Sequence, residues 1–225
     1  MGISSEQRLN LIKHARQQLM ASLELKKQLL TEDYLEILVS MAENIVRSLA
    51  NGGKLLICGN GGSAADAQHL AAELLVRLRS HVNRQGIPAL SLAMDPSTIT
   101  ACANDYSFEY LYERMVQALG KTGDVLLGIT TSGRSMNVIK ALRAAHQKGI
   151  LTFGFLGGDG GEALKECNLA LVIPSTQTDR IQEVHITAGH ILMELIEDLM
   201  IEKNHVEMMD NIFIETSLEL EVQQN

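Results

Sequence analysis

The chain is poor in the residues that mark several common protein classes. Proline occurs three times in 225 residues, and no low-complexity linker or internal repeat interrupts the sequence. Three cysteines, Cys58, Cys102 and Cys167, are odd in number and widely spaced. That pattern fits neither a disulfide framework nor a thiolate zinc cluster, so buried free thiols are expected. No apolar stretch approaches the roughly 20 residues of a membrane span, and no apolar run follows a basic start at the N-terminus. Neither a span nor a signal peptide is expected, and the cytoplasm is the expected compartment. Positive charge is also in deficit: 19 Lys and Arg against 27 Asp and Glu give −8. That balance argues against a broad nucleic-acid footprint. What remains is an ordinary globular composition, 46% hydrophobic and 20% charged, long enough for one α/β domain with a sizeable core.

Residues 5–51 carry apolar positions at helical spacing, with a break near Thr31-Glu32-Asp33, a good N-cap region. Two long helices are therefore predicted before any strand. From Lys54 the pattern alternates. It predicts strands at 54–58, 89–93, 124–130, 151–155 and 169–173. Helices are predicted at 63–79, 96–118 (short ones), 135–148, 161–166 (short) and 179–203. Such alternation implies a doubly wound parallel sheet covered on both faces, whose strand order the pattern does not reveal. The tail, 204–225, holds five carboxylates (Glu207, Asp210, Glu215, Glu219, Glu221) and no lysine or arginine. Met208, Met209, Ile212, Phe213 and Leu218 could form an apolar stripe, and an extra helix packed on the body or a partner subunit is expected there.

The stretch "KLLICGNGGSAADAQHLAAEL" (54–74) runs from an apolar strand through Gly59-Asn60-Gly61-Gly62-Ser63 into a helix. Free backbone N–H groups and the helix dipole meet at that turn, a natural seat for an anion. No lysine follows Gly62, so a triphosphate loop is not expected. Gly59, Gly61 and Ala64 match the dinucleotide fingerprint, but the window about 20 residues on reads "LRSHVNRQG" and lacks the required carboxylate. A small phosphorylated ligand is the better expectation. The stretch "DVLLGITTSGRSMNVIKAL" (124–142) repeats the design. Thr130, Thr131, Ser132 and Ser135 surround Gly133 where a strand gives way to a helix. Simple capping explains one or two such hydroxyls; four can ring a phosphate together with backbone N–H groups.

Reactive groups gather in two helical stretches. His69 and Glu73 stand four apart after the first loop and share a face. A carboxylate among alanines there needs a partner or a raised pKa, which hints at function. The last long helix opens with Asp179, Gln182, Glu183, His185 and His190. Gln182 and His190 lie about 80° apart around its axis. His185 is closer to Gln182 in rotation, so helical geometry leaves both histidines open.

Four separated segments, "CGNGGSAADAQHLAAEL", "ANDYSFEYLYERMVQALG", "GDVLLGITTSGRSMNVIKAL" and "DRIQEVHITAGHILMELIE", closely resemble the phosphoheptose isomerases of the sugar isomerase (SIS) superfamily. The resemblance covers roughly residues 10–203. It implies a single SIS domain over 1–203, a five-stranded parallel sheet flanked by helices, followed by an acidic C-terminal extension over 204–225. It further implies a homotetramer with active sites at subunit interfaces. The implied reaction converts sedoheptulose 7-phosphate to D-glycero-D-manno-heptose 7-phosphate, on the way to the heptose of lipopolysaccharide. Carried over by motif, Asn60, Gly61, Gly62 and Ser63 fall at substrate-contacting positions, and Asn104 and Asp105 match a sugar-contacting pair. Thr130, Thr131, Ser132 and Ser135 match the phosphate loop, with threonine at the first position in place of the more usual serine. Asp179 and Arg77 fall at active-site positions, and Arg180 follows the usual "DR" pattern. Glu73 and His190 match the catalytic carboxylate and imidazole.

The resemblance also places His69, Glu73, Gln182 and His190 at zinc-ligand positions, implying one zinc per subunit. Aldose–ketose isomerisation passes a proton between C1 and C2 through an enediol, with Glu73 suited as base and His190 as acid. Zinc held by the same residues would polarise the oxygens, a role in tension with free acid–base action by its own ligands. The alternative is a non-catalytic SIS adaptor that binds the bacterial replication initiator. Such adaptors lack the carboxylate and imidazole that stand here at Glu73 and His190.

Overall fold

The computed structural model describes residues 2–209. Two helices come first, α1 (Ser5–Lys27) and α2 (Glu32–Ala50). A capping box starts α1: Ser4 Oγ accepts from Gln7 N at 3.1 Å while Ser4 N donates to Gln7 Oε1 at 2.8 Å. Leu38, Met41, Ala42, Ile45 and Leu49 recur at helical spacing on α2 and are all buried. Five strands follow: β1 (Leu55–Gly59), β2 (Ala89–Ser91), β3 (Val125–Thr130), β4 (Leu151–Gly157) and β5 (Leu169–Ile173). Between them lie α3 (Gly62–Leu75), α4 (Pro96–Asp105), α5 (Leu111–Leu119) and α6 (Met136–Gln147), and α7 (Thr178–Glu202) comes last. Short 3₁₀ turns occupy Phe108–Tyr110 and Glu162–Glu166.

All strand pairs are parallel, in the order β2-β1-β3-β4-β5. Every residue of β1 and β3 is buried, as expected of a parallel sheet covered on both faces. Alternate residues serve opposite layers. Leu55, Ile57, Val125, Leu127, Phe153 and Phe155 pack with α2, α3 and α7. Leu56, Cys58, Leu126 and Leu156 pack with α5 and α6. The doubly wound sheet predicted from sequence is therefore present. The order reverses between β1 and β3, because the chain runs outward to β2 before returning to β3. The loops after β1 and β3 diverge there and open a crevice at the carboxyl ends of the strands, where such sheets bind ligands.

Three boundaries differ from the sequence expectation. Helix α3 stops at Leu75 instead of reaching 79, because its last carbonyls are claimed from outside. Arg84 donates through Nη2 to Glu73 O at 2.9 Å and through Nη1 to Leu74 O at 2.8 Å. Ile87 N also donates to Leu74 O, at 2.9 Å. Strand β2 is shorter than 89–93. The start of the tail is not helical: Gln85 N donates to Glu207 O and Met209 N to Asn83 O, both at 2.9 Å, around an antiparallel bridge between Arg84 and Met208. Asp210, Ile212, Phe213, Glu215, Leu218, Glu219 and Glu221 lie outside the described residues. The three thiols are free, with Cys58 and Cys102 buried as expected.

Candidate active site

Helices α3 and α7 lie side by side on one face of the sheet and carry the reactive groups. Their close approach depends on Gly189, where a Cβ would meet the Leu70 side chain at 2.6 Å. One residue on, His190 Nε2 lies 2.7 Å from His69 Nε2, with the two rings edge to face. His69 Nε2 also lies 3.2 Å from Glu73 Oε1. Glu73 is thus given the partner that its apolar surroundings demanded. One ligating atom from each of His69, Glu73 and His190 falls within 4.8 Å of the others. Geometry also decides between the two histidines of α7. His185 is fully buried, stacked on Phe155, with Nε2 3.1 Å from Leu156 O. Burial pushes its pKa down to about 4. It is a core residue, and His190 is the one at the cluster.

Gln182 reaches the same place from the first turns of α7. Its amide lies where a Cβ on Gly62 would sit, at 2.1 Å from Nε2, so with glycine there the amide can rest against the first loop. Asp66, unremarked in the sequence, sits one turn before His69 on α3. Its carboxyl is buried and raised above the usual carboxylate range by that burial; the Gln182 amide and the His69 and His190 imidazoles act in the opposite direction. One carboxylate oxygen, Oδ2, has no hydrogen-bond partner.

The donor set of two imidazoles, a carboxylate and an amide suits zinc. Asp66, next to Gln182 and both imidazoles, provides the kind of supporting carboxylate that zinc sites use. Two zinc–nitrogen bonds at a tetrahedral angle hold their nitrogens roughly 3.3 Å apart. The histidine pair at 2.7 Å is slightly closer, in the range of an N–H···N hydrogen bond. The residues fit a metal with a small separation of the rings.

The two loops flank the crevice. After β1, Asn60 exchanges two hydrogen bonds with Asn137 of α6, Nδ2 to Oδ1 at 2.8 Å in both directions. Gly61 adopts φ +55° before α3 begins, and Ser63 is buried in its first turn. Gly59 O is fixed by the buried Tyr112 hydroxyl. After β3, Thr130 Oγ1 lies 3.0 Å from Ser135 Oγ and 3.4 Å from Ser132 Oγ. The loop thus presents a hydroxyl cluster at the N-terminus of α6, with half-buried Thr131 beside it. A cation is also present: Arg134 donates to Ser132 O at 2.9 Å and pairs with Asp159 at 2.8 Å.

Other expected residues make no hydrogen bond or ion pair with the cluster among the described residues. Asn104 and Asp105 close the end of α4, exposed and hydrogen-bonded to each other at 2.7 Å. Arg77 lies beyond the shortened α3, exposed and without an ion pair among the described residues. Asp179 is exposed and held by Arg180 at 2.9 Å. The same arginine donates to Gln18 O of α1 at 3.1 Å.

Residues 13–157 match the model of the SIS domain. The chain belongs to the SIS-domain family. Among curated SIS-domain relatives, the phosphoheptose isomerase of Chlorobaculum parvum is 51% identical over 166 residues, spanning 73% of this chain and 79% of that one. That of a Roseiflexus species is 47% identical over 183 residues, 81% of this chain and 91% of that one. Among solved structures, the phosphoheptose isomerase of Neisseria gonorrhoeae superposes with TM-score 0.73 at 39% identity, covering 85% of this chain and 98% of that one. The SIS fold seen here is therefore the fold of those enzymes. Among the described residues no helix is long and apolar enough to cross a membrane.

Proposed function

We propose that the protein is a phosphoheptose isomerase, interconverting sedoheptulose 7-phosphate and D-glycero-D-manno-heptose 7-phosphate by acid–base catalysis. The observation that carries this reading is the convergence of His69, Glu73 and His190 beside two ligand loops in a chain about half identical to enzymes of that name. The phosphate would sit among Thr130, Thr131, Ser132 and Ser135, where neutral donors and the N-terminus of α6 favour an anion. Glu73, 16% exposed in its side chain, takes the proton from C1 of the ketose. His190 delivers a proton to O2, giving the enediol, and then accepts one from O1. Protonated Glu73 returns its proton to C2, which completes the aldose and restores both groups. A base and an acid so placed contribute about 10²–10⁴-fold each.

His69, Glu73, Gln182 and His190 would hold one zinc per subunit, and zinc so bound supplies Lewis-acid polarisation of the substrate oxygens. Asn104, Asp105, Asp179 and Arg77 complete the site in a homotetramer whose active sites form between subunits. Support for assembly comes from α1, on which Leu9 is 51% and Leu19 73% exposed. The test is turnover of sedoheptulose 7-phosphate by purified protein in a coupled assay. Glu73→Gln, which keeps the shape and loses the base, is expected to lower kcat at least about 100-fold with an unchanged circular dichroism spectrum. Near-wild-type turnover by that variant would refute the assignment.

A further inference from the structure

Asn60 and Asn137 bridge the crevice at the reversal of strand order. Asn60 is half-buried in the glycine loop after β1; Asn137 is 2% exposed in the first turn of α6, after β3. Each side chain has an amide NH₂ that can only donate and a carbonyl oxygen that can only accept, so the orientation of the pair matters. That orientation is determined from the backbone outward. Val138 N donates to Asn137 Oδ1 at 3.0 Å. The same N–H also donates to Ser135 O at 3.0 Å; because a main-chain N–H can only donate, the side-chain atom it shares itself with is oxygen. Asn60 must then face it with nitrogen, and the second bond of the pair must run from Asn137 Nδ2 to Asn60 Oδ1, as it does at 2.8 Å. Among the described residues, one N–H and one lone pair of Asn60 remain without a partner, and their directions are set by this arrangement.

We propose that Asn137 is a positioning residue for the isomerisation: through Asn60 it fixes which edge of the amide meets the sugar, and it locks the glycine loop to the phosphate loop. This inference rests on the reading that Asn60 touches the substrate. Asn137 itself acts only through Asn60. Its burial leaves it no exposed edge for a ligand, and its Oδ1 already accepts two hydrogen bonds. The phosphate hydroxyls Thr130, Ser132 and Ser135 make their own contacts without it. Loss of the bridge should therefore misalign the sugar and leave the phosphate seat intact.

Asn137→Asp tests this, because it preserves volume and the acceptor for Val138 N while setting oxygen against Asn60 Oδ1. Steady-state kinetics should show kcat/KM reduced at least about tenfold, in line with a buried polar group left mispaired. Competitive inhibition by inorganic phosphate should stay within about twofold of wild type. The wild-type to variant ratio of kcat/KM should shrink as pH falls, because a protonated carboxyl regains a donor for Asn60. Asn137→Ala is the second variant should the aspartate not fold. A plain structural staple would weaken phosphate inhibition in parallel with kcat/KM, and that result overturns the proposal; a ratio independent of pH would show that the Asn60 hydrogen bond is not what the variant loses, and overturns it too. Asn60→Ala separates the two levels of inference. If it keeps wild-type kcat/KM, the contact between Asn60 and substrate is refuted and the role of Asn137 falls with it. If it loses activity while Asn137→Asp does not, only the positioning role is refuted.

Discussion

His185 stands five positions before His190 on α7, and its burial should show in how stability depends on pH. The buried His185 ring has its pKa pushed down to about 4, against roughly 6.5 in an unfolded chain. Between those values the unfolded state binds the extra proton, so stability rises with pH. The contribution is fully present above about pH 6.5 and is lost as pH falls towards 4, amounting to roughly 3 kcal/mol. Urea midpoints at pH 7.5 and 4.5 should therefore differ more for wild type than for His185→Phe, the difference between the proteins isolating this ring. Asp66 invites a second measurement. Its buried carboxyl with an unpartnered oxygen supports Gln182 and the two imidazoles. Asp66→Asn should weaken zinc binding about 10–100-fold, read by competition with a chromophoric chelator. Zinc affinity equal to wild type would remove Asp66 from the metal's surroundings.

The packing of α3 on α7 brings the reactive groups together, and Gly189 permits it. Gly189→Ala would drive a methyl into Leu70, forcing the helices apart. We expect a loss of about 1–3 kcal/mol in urea unfolding together with a fall in kcat, since His69 and His190 would separate. Stability retained with activity retained would show that the contact yields freely. Much of this arrangement was legible beforehand, because strands, crossover helices and the two ligand turns follow from period and glycine placement. The sheet order was not, since helices of similar length cross to either side. The early end of α3 was equally hidden: Leu75 and Val76 continue the apolar spacing, and the cause is Arg84, a distant side chain that takes the helix's carbonyls. Asn137 was missed because a polar residue in a first helical turn reads as solvent-facing. Only its partner 77 positions away gives it meaning. His190 could not be separated from His185 by rotation about one helix; the neighbour α3 decided it.

The proposed assembly rests on what one chain leaves uncovered. Of the whole of α1, only Leu25 is buried, and a helix that displays leucines to water calls for a partner. Sedimentation equilibrium at micromolar concentration should give four chains; a monomer would refute the proposed tetramer and leave Arg77 and Asp105 without a site to complete. The proposed metal dependence is tested on the same purified protein. A strong chelator should lower activity with little change in Tm, because the core does not depend on an ion, and added zinc should restore it. Full activity in protein shown metal-free by elemental analysis would leave Glu73 and His190 as simple acid–base partners.

The antiparallel pairing of residues 207–209 with 83–85 bears on how much chain a working enzyme needs. Arg84 is fully buried between Glu197 of α7, at 2.6 Å, and the carbonyl of Glu73, while its own backbone neighbours are bonded to Glu207 and Met209. A truncation series should therefore show a threshold instead of a gradual decline. A protein cut after Met209 keeps the strap across Arg84 and should unfold at a higher urea midpoint than one cut before it. One cut after Glu202 loses it and should release the carboxyl end of α3, with Glu73 on its last turn. The threshold marks where the strap is lost, and a tag that replaces the chain from Glu207 onward would remove it in the same way.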